Sequence, residues 1–128
     1  MGLENNMKIR EQLVSNSSST SFIITNKTKH HLTIVDFVKE NKGLMEKFLD
    51  QYDGYRKDST FTHSNLLKSA RNLKGTYHQY SLAPGENNMA FGDEDGTLIG
   101  QVYDYILRDG GESKRFKWKA IECRGQKM

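Results

Sequence analysis

The stretch TLIGQVYDYILRDGGESKRFKWKAIEC, residues 97–123, places a helix pattern directly before a strand pattern and so decides the fold class. In its first half, apolar residues recur at the i, i+3, i+4 spacing of a buried helix face, namely Leu98, Ile99, Val102, Tyr103 and Ile106. Gly110 and Gly111 are typical of a helix C-terminus. In the second half, Phe116, Trp118 and Ala120 alternate with cations, which is the period of an amphipathic strand. The stretch therefore predicts an α+β protein.

Towards the N-terminus, the remaining patterns alternate between strands and helices. Residues 22–25 favour a buried strand, and Thr33 followed by Asp36 predicts an N-cap for a helix beginning near Ile34. That helix is interrupted at 41–43 and stops at 53–54, after which the chain predicts a surface loop to residue 62. A further helix follows from Thr62 or Ser64 to Gly75, then strands over 76–82 and 89–91 around a turn at 83–85.

These elements predict one small domain of three or four helices packed on a small, mostly antiparallel sheet. We expect it to span residues 7–128, with residues 1–6 as a disordered leader or cloning remnant. A length of 128 residues suits a single domain, and a mean hydropathy of -0.76 indicates a modest core.

Composition also limits the classes of protein to which the chain can belong. No stretch approaches the roughly 20 apolar residues of a membrane helix, and the N-terminus has no signal-peptide pattern, which predicts a soluble, cytoplasmic protein without membrane contact. The single cysteine, Cys123, cannot form an internal disulfide or a multi-thiolate zinc site. We expect neither a metal nor another cofactor.

The most unusual feature is a run of small polar residues before the first strand. Backbone N–H groups of such a loop can wrap an anion, so the run is a candidate anion or partner loop, although a plain linker is the simpler interpretation. It comprises Ser15, Asn16, Ser17, Ser18, Ser19, Thr20 and Ser21.

Residues 10–24, Arg-Glu-Gln-Leu-Val-Ser-Asn-Ser-Ser-Ser-Thr-Ser-Phe-Ile-Ile, resemble an N-terminal signature of small bacteriophage and bacterial proteins. That signature reads Arg-x-Gly-Phe-Val-Ser-Asn-Ser-Ser-Ser-Ser-Ser-Phe, from which this chain departs at Gln12, Leu13 and Thr20. The resemblance implies a phage or prophage setting, with the host cytoplasm as location. It implies no activity and no catalytic residues.

An acidic cluster, Asp93, Glu94 and Asp95, precedes the helix of the opening stretch. An EF-hand alignment through Gly96 puts Phe91 and Val102 at ligand positions, so that calcium loop is excluded. Two interpretations remain: magnesium held together with a phosphate substrate, or acids that favour the positive end of the following helix dipole.

Histidine and cysteine chemistry receives little support. His30, His31, His63 and His78 follow neither HxH nor HExxH spacing, which favours surface histidines over a metal site. Arg124 beside Cys123 would lower a thiol pKa, but no other feature of the sequence marks that cysteine as a nucleophile. The catalytic residues, if the protein has any, stay unknown.

Charge is segregated near the C-terminus, since residues 86–112 hold seven acids and one base whereas residues 113–128 hold six bases and one acid. Alternate cations on the last strand lie about 6.6–6.8 Å apart, close to the spacing of phosphates in a nucleic acid. This candidate basic face comprises Lys114, Arg115, Lys117, Lys119 and Arg124. Single-strand binders place aromatics and cations on one surface, however, and here Phe116 and Trp118 are expected in the core.

Three functions follow. The leading hypothesis is a non-catalytic accessory protein that binds a host or virion protein. The first alternative is nucleic-acid binding through the basic face, and the second is a phosphate- or nucleotide-handling enzyme or binder that uses the serine run and the acidic cluster. Because the opposite charge blocks could dock between subunits, a homodimer is a further hypothesis.

Overall fold

Strand β1, residues Thr20–Asn26, is one of the two inner strands of the larger sheet. The computed structural model describes residues 19–75, 80–92 and 96–121. Within them the further strands are β2 (Leu32–Thr33), β3 (Ser81–Leu82), β4 (Gly85–Phe91), β5 (Gly111–Glu112) and β6 (Phe116–Ala120). The helices are α1 (Ile34–Glu40), α2 (Gly43–Gln51), α3 (His63–Arg71) and α4 (Leu98–Ile106), with 3₁₀ turns at Asp53–Lys57 and Leu107–Asp109.

The strands form two antiparallel sheets. The larger has the order β4-β1-β6-β5, and β2 pairs with β3 in a separate two-stranded sheet. The α+β class, the four helices and the antiparallel pairing expected from the sequence are confirmed.

Local capping explains where the helices begin. Thr33 and Asp36 form a capping box in which the Thr33 hydroxyl accepts from the Asp36 N–H and the Asp36 carboxylate accepts from the Thr33 N–H. Thr62 and Thr97 cap α3 and α4 through their hydroxyl oxygens in the same manner. All three helix starts predicted from the sequence are therefore confirmed to within a residue or two.

The core lies between one face of the larger sheet and the helices. From the sheet, Phe22, Ile24, Met89, Phe91, Phe116 and Trp118 are buried. Phe37 of α1 meets Phe116 and Trp118 edge-on, with ring centroids 5.2 Å apart in both pairs, and meets Tyr103 of α4 at 5.7 Å. Such edge-to-face pairs fix the orientation of the helices on the sheet.

Asn26 joins the two sheets at the end of β1. Its side chain is 2% exposed, and its amide donates to the carbonyls of His30 and Leu82 at 2.8 and 2.9 Å. Its oxygen accepts from the backbone and hydroxyl groups of Thr28. A buried amide with all these partners is satisfied, so this polar residue is tolerated in the core.

Several element boundaries in the described residues differ from those predicted. Thr20 and Ser21 belong to β1 and not to a serine loop, because they pair with Phe91 and Ala90 of β4. The strand predicted over 76–82 covers only Ser81–Leu82 of the described residues, and 76–79 lie outside them. Strand β4 is longer than expected because its pairing runs along all of β1, and a 3₁₀ turn replaces part of the predicted loop after α2.

Candidate functional site

Two tyrosines just after α2 form an exposed aromatic surface. The amphipathic α2 buries Phe48, and the 3₁₀ turn that follows brings Tyr52 and Tyr55 back onto its ring, with centroids 5.1 and 5.6 Å away. The Tyr55 ring also packs at a tilt against Phe61, with centroids 4.5 Å apart. Both tyrosines are nevertheless 37% exposed. Their rings are thus held in place by buried aromatics while part of each stays open to solvent.

Helix α4 extends this surface with a third tyrosine. The ring of Tyr105 lies 5.4 Å from that of Tyr52, and the guanidinium of Arg108 lies 4.9 Å above Tyr105. Such a cation–π contact adds about 0.5–1 kcal/mol at an exposed position. We call Tyr52, Tyr55, Tyr105, Arg56 and Arg108 together the tyrosine surface.

Arg56 anchors the 3₁₀ turn to α2 through carboxylates. Its two terminal nitrogens donate to Glu46 and Asp50 at 2.9 and 2.7 Å, and its Nε lies 3.8 Å from Asp53. The hydrogen bond to Glu46, together with the three negative charges, raises the pKa of Arg56 above its ordinary value. One guanidinium thus stands among three carboxylates.

Arg108 is positioned by a buried carboxylate. Asp104 is 1% exposed, and its Oδ1 accepts from the Thr20 hydroxyl at 2.6 Å and from Arg108 at 2.9 Å. The Arg108 Nε donates to the Asp104 carbonyl at 2.7 Å. Because a buried carboxylate without such partners would be costly, this network holds Arg108 in its place over Tyr105.

The same network bears on the candidate anion loop. Thr20 donates to a carboxylate, so the described end of the serine run faces a negative group and does not favour an anion. Ser21 is paired within β1. Residues 15–18 of the predicted loop lie outside the described residues.

The candidate basic face is only partly assembled. Lys117 and Lys119 are exposed on the outer face of the sheet while Phe116 and Trp118 are buried, as predicted. Lys114 is exposed in the turn before β6, and Arg124 lies outside the described residues.

Arg115 was wrongly placed on that face. Its Nε donates to Glu40 at 2.7 Å and its backbone N–H donates to the same carboxylate at 2.8 Å. The hydroxyl of Ser113 adds a third bond to Glu40, at 2.5 Å. Arg115 precedes the first paired residue of β6, so the strand alternation does not dictate its direction, and it pairs instead with the partly buried carboxylate of Glu40.

Acidic side chains balance the lysines of the outer face. Glu112 lies opposite Lys117 in the β5–β6 pair and forms an ion pair with Lys27 at 2.6 Å, which lowers the pKa of the Glu112 carboxyl. Glu86 lines a hollow of about 180 Å³ with Lys117 and Lys119. The face therefore carries mixed charge, and the residues of β1, β4 and β6 that point outward include no aromatic ring.

The acidic cluster Asp93, Glu94 and Asp95 lies outside the described residues. The start of α4 beside it is already capped, since the Thr97 hydroxyl accepts from Gly100 and the Ser69 hydroxyl accepts from the Ile99 N–H at 3.1 Å. A groove of about 460 Å³ lies between this start and α3.

The histidines are dispersed. His30 and His31 are exposed, His63 is partly buried, and His78 and Cys123 lie outside the described residues. Burial, and then the charge of Lys42, lowers the pKa of His63. Within the described residues no three His, Cys, Asp or Glu side chains are grouped for a metal ion.

Sequence reasoning did not identify the tyrosine surface. Tyr52 was counted as part of a helix face and Tyr55 as part of a loop, while Tyr105 lies about fifty positions further along the chain. The available signal was the unusual density of aromatic and charged residues over 52–61.

None of the helices in the described part of the chain has the length and apolar character needed to span a membrane. Comparisons with protein-family models, with curated proteins and with solved structures gave no match.

Proposed function

We propose that this protein is a non-catalytic binding protein that contacts a partner protein through the tyrosine surface. The observation that carries the proposal is the pair Tyr52 and Tyr55, each 37% exposed yet packed at a tilt against the ring of buried Phe48. Tyrosine and arginine are enriched among the residues that dominate protein–protein interfaces, because they offer large contact areas with few rotatable bonds.

Preorganisation supports this assignment. Ordering a mobile side chain costs about 0.5–1.5 kcal/mol on binding. Rings already packed against Phe48 and Phe61, and a guanidinium already fixed by Asp104, have lost most of that freedom before a partner arrives. A larger share of the contact energy then remains for affinity.

The proposed biological setting rests on the N-terminal resemblance alone. Residues 10–24 resemble the N-terminal signature of small phage and bacterial proteins, and we therefore propose an accessory factor of phage or prophage type. Its partner would be a host or virion protein.

Site-directed photo-crosslinking tests the surface. We would incorporate p-benzoylphenylalanine at position 55 or, as the control, at position 119 on the outer sheet face, and expose each protein to host lysate. We expect a discrete crosslinked protein at position 55 and not at position 119. Crosslinks confined to position 119 would refute the proposal and favour the sheet face instead.

The captured protein then allows a quantitative test. Tyr52→Ala is expected to weaken its binding by about tenfold or more, because truncating a central aromatic typically costs over 1 kcal/mol. Tyr52→Phe retains the ring and should bind within about threefold of wild type, and Lys119→Ala should leave affinity unchanged. Near-UV circular dichroism verifies that each variant is folded. Unchanged affinity of Tyr52→Ala would contradict the assignment.

Nucleic-acid binding would give a different result. A ligand held by Lys117 and Lys119 would lose affinity steeply as salt is raised, and Lys117→Ala would weaken it. The mixed charge of the outer face and the location of Phe116 and Trp118 in the core favour the protein partner.

A further inference from the structure

Carboxylates outnumber cations in the ion pairs around the tyrosine surface. Arg56 faces three carboxylates, whereas Lys47 pairs with Asp109 at 3.5 Å and Arg108 pairs with Asp104 at 2.9 Å, one to one. In these ion pairs five carboxylates face three cations, and the two surplus carboxylates lie around Arg56. The carboxylates around Arg56 are those of Glu46, Asp50 and Asp53, whose side chains are 63%, 68% and 86% exposed.

From this charge we infer that the partner segment which docks on the tyrosine surface is basic, with arginine side chains that lie against the tyrosine rings and pair with the carboxylates of Asp50 and Asp53. The inference rests on the proposed function and names the chemistry of the partner. A surface with a negative excess repels an acidic peptide and attracts a cationic one.

The protein's own arginines demonstrate the same mode of contact. Arg108 lies 4.9 Å above the Tyr105 ring while it binds the carboxylate of Asp104 at 2.9 Å. Arg56 is held by Glu46 and Asp50 at once. Each guanidinium uses several partners simultaneously because it is planar and has five donors, which a lysine ammonium cannot reproduce.

Tyr52 offers this combination to an incoming chain. It lies between Asp50 and Asp53 in the sequence, so an exposed ring and exposed carboxylates come from the same turn of chain. Asp53 is the freer of the two acids, since its oxygen lies 3.8 Å from Arg56, beyond the 2.7 Å of the Asp50 contact. A partner guanidinium can pair with Asp53 without displacing Arg56.

A peptide titration tests this chemistry. The probe is a blocked peptide of alternating glycine and arginine, and the comparison peptides replace arginine with lysine or glutamate. Amide chemical shifts of the ¹⁵N-labelled protein report both position and affinity. We expect the arginine peptide to shift residues 50–56 and 105–108, the lysine peptide to bind more weakly, and the glutamate peptide to have no effect.

Variants identify the groups responsible. The double variant Asp50→Asn with Asp53→Asn should weaken the arginine peptide by about three- to tenfold, since exposed ion pairs contribute modestly. Tyr52→Leu should weaken it by a similar factor through loss of the ring. Glu86→Gln removes one acid from the outer sheet face and should change nothing.

Several outcomes would overturn the inference: no shifts at millimolar peptide, shifts confined to the outer sheet face, or equal affinity for the double variant and wild type. A salt-sensitive homodimer that Lys117→Glu abolishes would identify the second copy as the occupant instead. If crosslinking at position 55 captures a protein while the arginine peptide does not bind, the tyrosine surface is supported as a binding site and the basic partner is refuted. If neither crosslinking nor peptide binding is observed, the proposed function is refuted as well.

Discussion

Replacing Glu40 by alanine is expected to lower the free energy of unfolding by about 2 kcal/mol at pH 7. The Glu40 side chain is 13% exposed and accepts three hydrogen bonds, from the Ser113 hydroxyl, the Arg115 N–H and the Arg115 guanidinium. Each bond contributes about 1 kcal/mol net, and the ionic bond counts for less because Arg115 is about one-third exposed and water can replace its partner.

The effect should depend on pH in a defined direction. Burial raises the pKa of Glu40, but the N–H of Arg115, the Ser113 hydroxyl and the Arg115 guanidinium together bring it below the ordinary value of 4.5. A carboxyl with a lowered folded-state pKa contributes fully above its unfolded pKa and loses that contribution as the pH falls through the folded value. The stability gap between wild type and Glu40→Ala should therefore be constant from pH 7 to about pH 5 and narrow below pH 4.5.

Urea denaturation followed by tryptophan fluorescence measures this gap at each pH, since Trp118 is buried in the core. Glu40→Gln keeps the shape but not the charge, so it should lose less stability at pH 7, and its gap to wild type should narrow at low pH by the same amount because it also lacks the Glu40 carboxyl. Glu86→Ala, the exposed control, should change stability by less than about 0.5 kcal/mol. A Glu40→Ala gap below about 0.5 kcal/mol at pH 7, or one that persists unchanged to pH 3, would refute the reasoning.

Two further predictions concern the core and one turn. Phe37→Leu should lower the free energy of unfolding by about 2 kcal/mol, because three edge-to-face contacts of about 0.5–1.5 kcal/mol each are lost; a loss under about 0.5 kcal/mol in chemical denaturation would contradict this. Gly110→Ala should cost about 1–2 kcal/mol, because Gly110 has φ +72° and a Cβ there would lie 3.2 Å from the Trp118 carbonyl. Gly54→Ala, where a Cβ would meet no atom within 4 Å, should stay within about 0.5 kcal/mol of wild type, and equal melting temperatures of the two alanine variants would count against the argument.

Features set by local sequence could be predicted from the sequence, and those set by long-range contacts could not. Thr33, Thr62 and Thr97 cap their helices through bonds within three residues, so the start of each helix can be recognised from the chain alone. The buried face of β6 follows from strict alternation. Strand β4, by contrast, owes its first four residues to pairing with β1, and Gly-Glu-Asn-Asn has no strand propensity of its own.

The direction of Arg115 illustrates the same limit for function. Alternation places it with Lys117 and Lys119, but the partner that redirects it, Glu40, lies 75 positions away. The positive charge of a face is therefore overestimated when it is predicted from the alternation of one strand alone, because an acid of another element can pair with a cation at the strand end. The glutamates opposite and beside the remaining lysines reduce it further.

The basic face is a site that the sequence predicts too strongly, whereas the tyrosine surface is a site that the sequence does not predict, because none of its residues is distinctive alone. Tyr52 and Tyr55 gain their fixed orientation from Phe48, and Tyr105 reaches them only because α4 packs against α2. The polar network that holds Arg108 over Tyr105 includes the hydroxyl of Thr20, a residue of the serine run. The proposed binding surface and the start of β1 are thus linked through Asp104. Asp104→Asn, which retains shape but removes the charge, should release Arg108 and weaken partner binding even though Asp104 itself is buried and cannot touch the partner.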